Sequence, residues 1–158
     1  MQPRGPLMIE HRLIECMIVL IDKEAAKIEK SNIVDPSFID RAVDFIRTYA
    51  DRTHHGKEEE ILFRDLAIKS FPMSTIMNEL IQEHVFGRAT TAQLVKAADA
   101  YRKGDKAALT LIAQALRKFV DFYPKHIKRR TKCYFLRQWP ISRSSKPCST
   151  NSGNLMEK

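Results

Sequence analysis

Glycine is scarce, with five residues in 158, and no apolar run is long enough to span a membrane. The first excludes a turn-rich, strand-dominated chain and the second excludes an integral membrane helix. A signal-peptide core is missing too, because Met1-Gln2-Pro3-Arg4-Gly5-Pro6 runs straight into Glu10, His11 and Arg12. The three cysteines, Cys16, Cys133 and Cys148, are odd in number and lack paired zinc spacing. They are read as free thiols, and the expected location is the reducing cytoplasm. No solenoid-type repeat is visible. Nothing marks a substrate pocket or a dedicated acid–base pair, so an enzymatic role is not the expectation.

What charge there is lies unevenly. The net charge is +8, but residues 128–158 hold eight Lys/Arg against Glu157 alone, which is +7. Residues 1–127 therefore carry +1, and a nucleic-acid footprint over the whole domain is not supported.

Apolar residues recur at helical rather than alternating intervals, which predicts an all-α fold. Four segments stand out: about 7–30, 35–66, 74–102 and 105 to beyond His126. Asp35-Pro36 is a good helix start, Ser74 caps the third segment, and Lys103-Gly104-Asp105 is a compact helix–helix turn. Pro124 is expected to kink or loosen the last helix. Short connections imply an up-down-up-down antiparallel four-helix bundle over residues 1–135. Residues 136–158, rich in Ser, Arg, Lys and Pro, are read as an irregular, disordered basic tail.

The core-facing seams follow alternating three- and four-residue steps. The first helix gives Leu7, His11, Ile14, Ile18, Ile21, Ala25 and Ile28. The third gives Met77, Leu80, His84, Gly87, Thr91, Leu94, Ala98 and Tyr101. The fourth gives Leu109, Ile112, Leu116, Phe119, Tyr123, His126, Arg130 and Cys133. The second is less regular, with Phe45, Tyr49, His55, Glu59, Leu62 and Leu66 on a broad face.

Each seam carries a histidine among apolar neighbours, and an antiparallel bundle brings all four to one level. His55 and Glu59, four apart, stack on one helix face. The expected metal ligands are His11, His55, Glu59, His84 and His126. Imidazoles with a carboxylate suit iron, zinc or manganese: neutral histidines fix the cations and a carboxylate bridges them. A single such histidine is more often a satisfied core residue. Burying four of them with a carboxylate and no metal would leave several polar groups to satisfy. His54 is placed behind the ligands or at the surface. Glu58 and Glu60 are read as solvated. Glu10 and Glu83 are read as surface charge, with support of the neighbouring ligands as the alternative. Tyr49, Tyr101 and Tyr123 are assigned to core.

Four pieces of the chain carry a family resemblance: Glu10-His11-Arg12-Leu13-Ile14-Glu15, His54 through Phe63, Glu83-His84-Val85-Phe86-Gly87-Arg88, and Tyr123-Pro124-Lys125-His126-Ile127-Lys128. In order and spacing they resemble the hemerythrin-like (HHE cation-binding) domains over about residues 7–128. The resemblance implies a four-helix bundle with a non-haem di-iron centre that binds dioxygen, senses redox state or nitric oxide, or handles iron. Two positions depart from it. Oxygen-carrying hemerythrins have a second histidine where this chain has Arg88. The family also has a carboxylate four or five residues after the last-helix histidine, where this chain has Arg130 and Thr131. Arg130 falls on the inward seam and brings a cation toward bound metal.

The C-terminal departure has a second reading, a frameshift. One permitted codon set for residues 128–136, with a single A restored in its opening A-run, translates as Lys-Lys-Glu-Asp-Lys-Val-Leu-Phe-Pro. That would put a glutamate four residues after His126. The alternative is a genuinely diverged tail.

The leading functional expectation is a non-haem (di-)iron protein with a small ligand such as dioxygen or nitric oxide. It would hold two irons if the site is complete, or one metal if Arg130 weakens it. A structural zinc is a further option. The alternative from another class is a metal-depleted helical module that engages a partner through its basic tail. The sequence does not fix the oligomeric state.

Overall fold

A computed structural model describes residues 4–63 and 71–136. The fold is an all-α four-helix bundle. Helix α1 is Arg4–Ser31, α2 is Pro36–Phe45, α3 is Phe71–Arg102 and α4 is Ala108–Leu136. The α2 rod continues beyond Phe45 as a π-helix over Ile46–His55 and again over Glu58–Phe63. The rods close into a ring: α1 packs on α4, α4 on α3, α3 on the α2 rod, and that rod on α1. Most of the basic tail lies outside the described residues.

The helix boundaries follow local chemistry. Helix α1 ends where Asn32 takes a left-handed φ of 54° and donates to the Ile28 carbonyl at 2.8 Å. Helix α2 starts at Asp35, whose side chain accepts from the Ser37 N–H at 2.9 Å, with Pro36 in the first turn. The connection is pinned by the Glu24 carboxylate, which accepts the Asp35 N–H at 2.9 Å. At the α3–α4 turn Gly104 has φ 97°, which only glycine adopts without strain, and Asp105 accepts the Ala107 N–H at 2.9 Å. Helix α4 runs unbroken through Pro124. That residue lies on the exposed face, where solvent can serve the carbonyl its ring leaves without a partner.

All seven expected seam residues of α1 are buried, as are Leu109, Ile112, Leu116, Phe119, Tyr123, His126 and Arg130 of α4. The main core runs from Ile14 to Ile28 on α1 and gathers Ile39, Ala42, Ile46, Leu94, Leu116 and Phe119 from the other rods. A smaller apolar cluster, Leu7, Phe63, Met77 and Leu80, forms on its own. Along α1, the α2 rod and α3 the buried histidines fall between residues of these two clusters, and on α4 His126 lies between Tyr123 and Ile127 of the main core. A polar layer is therefore closed above and below by hydrocarbon, which keeps bulk water away.

The α2 rod departs from the α-helical expectation. Its buried residues are Ile39, Ala42, Ile46, Ala50, His54, His55, Glu58 and Phe63. The step lengthens from three or four residues to four or five. The cause is the π-helical backbone, in which each N–H reaches back five residues rather than four. The Gly56 N–H bonds to the Asp51 carbonyl, and the Thr53 hydroxyl donates to the Thr48 carbonyl at 2.8 Å. The wider turn changes which side chains face inward.

Candidate metal centre

That change of period decides the site. With an α-helical rod, His55 and Glu59 share the inward face. With the π-helical rod, His54 and Glu58 turn inward, both with 0% of their surface exposed, while His55 stays buried at 2%. Glu59 is left half-buried at the rim. His54 and Glu58, read from the sequence as peripheral, are thus interior residues, and Glu59 moves outward.

Two triads result. His55, His84 and His126 bring one ligand atom each to within 4.8 Å of one another, and His11, His54 and Glu58 do the same. All six residues are buried. Glu58 lies between the triads: Oε1 is 3.1 Å from His54 Nε2 and 3.9 Å from His11 Nε2, and Oε2 is 3.3 Å from His84 Nε2. The rings interlock, with His55 stacked on His84 at 3.8 Å between centroids and His11 edge-on to His54 at 4.6 Å.

The hydrogen bonding is polarised. Four Nδ1 atoms face carboxylates: His54 to Glu10 at 2.8 Å, His55 to Asp51 at 3.4 Å, His84 to Glu59 at 2.6 Å and His126 to Glu83 at 2.8 Å. The five buried Nε2 atoms, of His11, His54, His55, His84 and His126, have no hydrogen-bond partner. A carboxylate on Nδ1 holds the proton there and leaves Nε2 with a free lone pair aimed inward. Glu10 and Glu83 therefore hold His54 and His126 in place rather than decorate the surface. Asp51 went unremarked in the sequence, although its place four residues before His55 was a readable signal.

Electrostatics keep His11, His54, His55 and His84 neutral. Burial is the largest cause in every case: it holds His11 down to about 3, His54 to about 2 and His55 to about 4, and it lowers His84 as well. The Arg130 charge and the neighbouring histidines push His11 and His54 further the same way. A neutral imidazole with an unpartnered buried nitrogen is the state a metal requires. The donor set therefore fits a metal. Nothing else among the described residues satisfies those nitrogens, and leaving so many polar atoms orphaned in a closed layer is costly.

The family model of the Hemerythrin HHE cation binding domain matches residues 6–135. The chain belongs to the hemerythrin HHE cation-binding family. No curated protein and no solved structure matches it. For this hemerythrin-like chain the match and the triads together establish a cation-binding bundle with buried His/Glu clusters.

Both departures from the family pattern have structural consequences. Arg88 donates through Nε to Asp51 at 2.8 Å and through Nη2 to Glu59 at 2.9 Å. It thus ties together the two carboxylates that orient His55 and His84. The hydrogen bonds from His55 and Arg88 in turn hold the Asp51 carboxyl below its ordinary range. Arg130 is 1% exposed and ion-paired to Glu58 Oε1, with its guanidinium 5.2 Å from the centre of the Phe63 ring.

Beside the centre is a small pocket of about 100 Å³, lined by Asp51, His55, Gly87, Arg88 and Tyr123 among others. No helix among the described residues is long and apolar enough to cross a membrane.

Proposed function

We propose that this chain is a non-haem iron protein that binds or senses a small ligand, dioxygen or nitric oxide being the chemical type, or responds to redox state. One observation carries the reading: five buried imidazole nitrogens converge without hydrogen-bond partners, and in four of those rings the opposite nitrogen faces a carboxylate. We assign His55, His84 and His126 to one metal position and His11, His54 and Glu58 to the other, with Glu58 between them. Glu59, the carboxylate expected from α-helical spacing, acts by orienting His84. Imidazole and carboxylate donors suit iron, as they suit zinc or manganese, and the redox reading selects iron among these. Iron held there supplies a redox-active centre able to bind a small ligand. The protein's part is to fix the imidazoles, exclude bulk water with the two apolar clusters, and admit small molecules through the pocket beside His55. Its volume of about 100 Å³ has room for a diatomic ligand. The exposed free thiol of Cys16 is compatible with a cytoplasmic location.

Anaerobic titration with ferrous iron, followed by optical spectra before and after oxygen, tests this reading. Uptake of iron with new near-ultraviolet absorption on oxygenation is expected. A protein that takes up no iron refutes it and favours the alternative, a metal-free helical interaction module. One observation favours that alternative: Arg130 already neutralises Glu58 without a cation.

A further inference from the structure

The two triads differ in what else reaches them. Oε1 of Glu58, the oxygen that faces His54 and His11, is engaged by the Arg130 guanidinium. Oε2 faces His84, in the all-histidine triad. A guanidinium remains charged at any working pH and has no lone pair to offer a metal. It lies in a buried layer, where its charge is weakly screened. Phe63 is 3% exposed and Arg130 rests over its ring, so the guanidinium occupies a fitted position.

We propose that Arg130 makes the centre unequal: the His55/His84/His126 half takes a single divalent first-row cation, and the Arg130–Glu58 ion pair holds the His11/His54/Glu58 half closed to a second. This rests on the metal-binding reading above and deepens it. Three imidazoles from three rods form an open set with room for a fourth ligand, the arrangement in which such cations keep an exchangeable position. Glu58 Oε2 is placed to fill or flank it, because Arg130 holds the other oxygen. In the second half a cation would have to take the carboxylate from Arg130. It would then sit beside a positive charge in a medium that screens poorly. Arg130 therefore does for Glu58 what the second metal would otherwise do, which is to neutralise its charge. The charge of Arg130 also acts on His11 and His54, the two histidines of the half it closes.

The test is metal content after anaerobic loading with Co(II) or Fe(II) and removal of excess, measured by elemental analysis, with the Co(II) visible spectrum as second readout. The full chain should retain one equivalent, with any second binding at least about 100-fold weaker. Arg130→Glu and Arg130→Met should each admit a second equivalent, the first more tightly because it adds a carboxylate. His126→Ala should reduce the retained equivalent to none. Circular dichroism establishes that each variant is folded; Arg130→Met, which preserves length and apolar bulk, serves if Arg130→Glu does not fold. Two tight equivalents in the unaltered chain would overturn this inference and leave the functional reading standing. So would one equivalent in both folded Arg130 variants. No retained metal in any form would overturn both.

Discussion

Acidifying the metal-free protein should unfold it at a pH where most helical bundles are still stable. His11, His54 and His55 are held to about 3, 2 and 4 against an ordinary value of 6.5, and His84 is lowered too. These groups are neutral when folded and free to take a proton when unfolded. The unfolded chain therefore binds more protons, and stability rises with pH in this window. Their contribution is fully present above 6.5 and is lost progressively as pH falls from 6.5 toward the folded values. At pH 5.5 each unfolded imidazole gains about 1.4 kcal/mol from protonation. Four such groups give about 6 kcal/mol, comparable with the whole stability of a marginal domain at ~5–15 kcal/mol. The assay is denaturant unfolding followed by circular dichroism at pH 7.5, 6.5 and 5.5, with chelator present. The midpoint should fall steeply over the last unit, and His54→Gln should remove about a quarter of that fall. Bound metal should blunt it, because the nitrogens are then occupied in the folded state. A midpoint unchanged between pH 7.5 and 5.5 would show that these imidazoles are not buried and neutral, and the centre described above would fall with them.

Other perturbations bear on separate parts of the molecule. Glu10→Ala removes the carboxylate on His54 Nδ1 and should weaken metal binding about 10- to 100-fold while helix content is retained, read by competition with a chromophoric chelator. Leu116→Ala, at a site with 0% exposure, should cost ~2–5 kcal/mol in denaturant unfolding and leave metal stoichiometry alone. At Gly87 an added Cβ would meet only Phe122 Cε1 at 3.7 Å, an ordinary contact, so Gly87→Ala should stabilise the helix by ~0.5–1 kcal/mol; a loss of stability would show that the backbone there needs glycine. For the frameshift reading of residues from 128 onward, the nucleotide sequence should show an A-run after the Ile127 codon, and its absence would end that proposal.

Three of the four rods were legible from the chain alone, because α-helical spacing and burial are tied one to one wherever the backbone stays α-helical. His11, His84 and His126 lie inside for the same reason that Ile14, Leu80 and Phe119 do. The turn at Gly104 and the cap at Asp35 were equally plain, since both depend on residue chemistry at one position. The sequence also announced that a charged residue, Arg130, would sit on an inward seam, and it does.

Only the tertiary structure decided which residues of the second rod face the centre. Hydrogen bonds reaching five residues back widen the turn, so a reading in steps of three and four selects Glu59, whereas the folded chain turns Glu58 and His54 inward. Only the fold, too, showed what Glu10, Asp51 and Glu83 do, because each bond they make to an imidazole depends on distance and angle. A sequence fixes the residues available and the local period they favour. The identity of the carboxylate that meets His11, His54 and His84 depends on a fraction of a helical turn, and that rotation is set by the packing of four rods against each other.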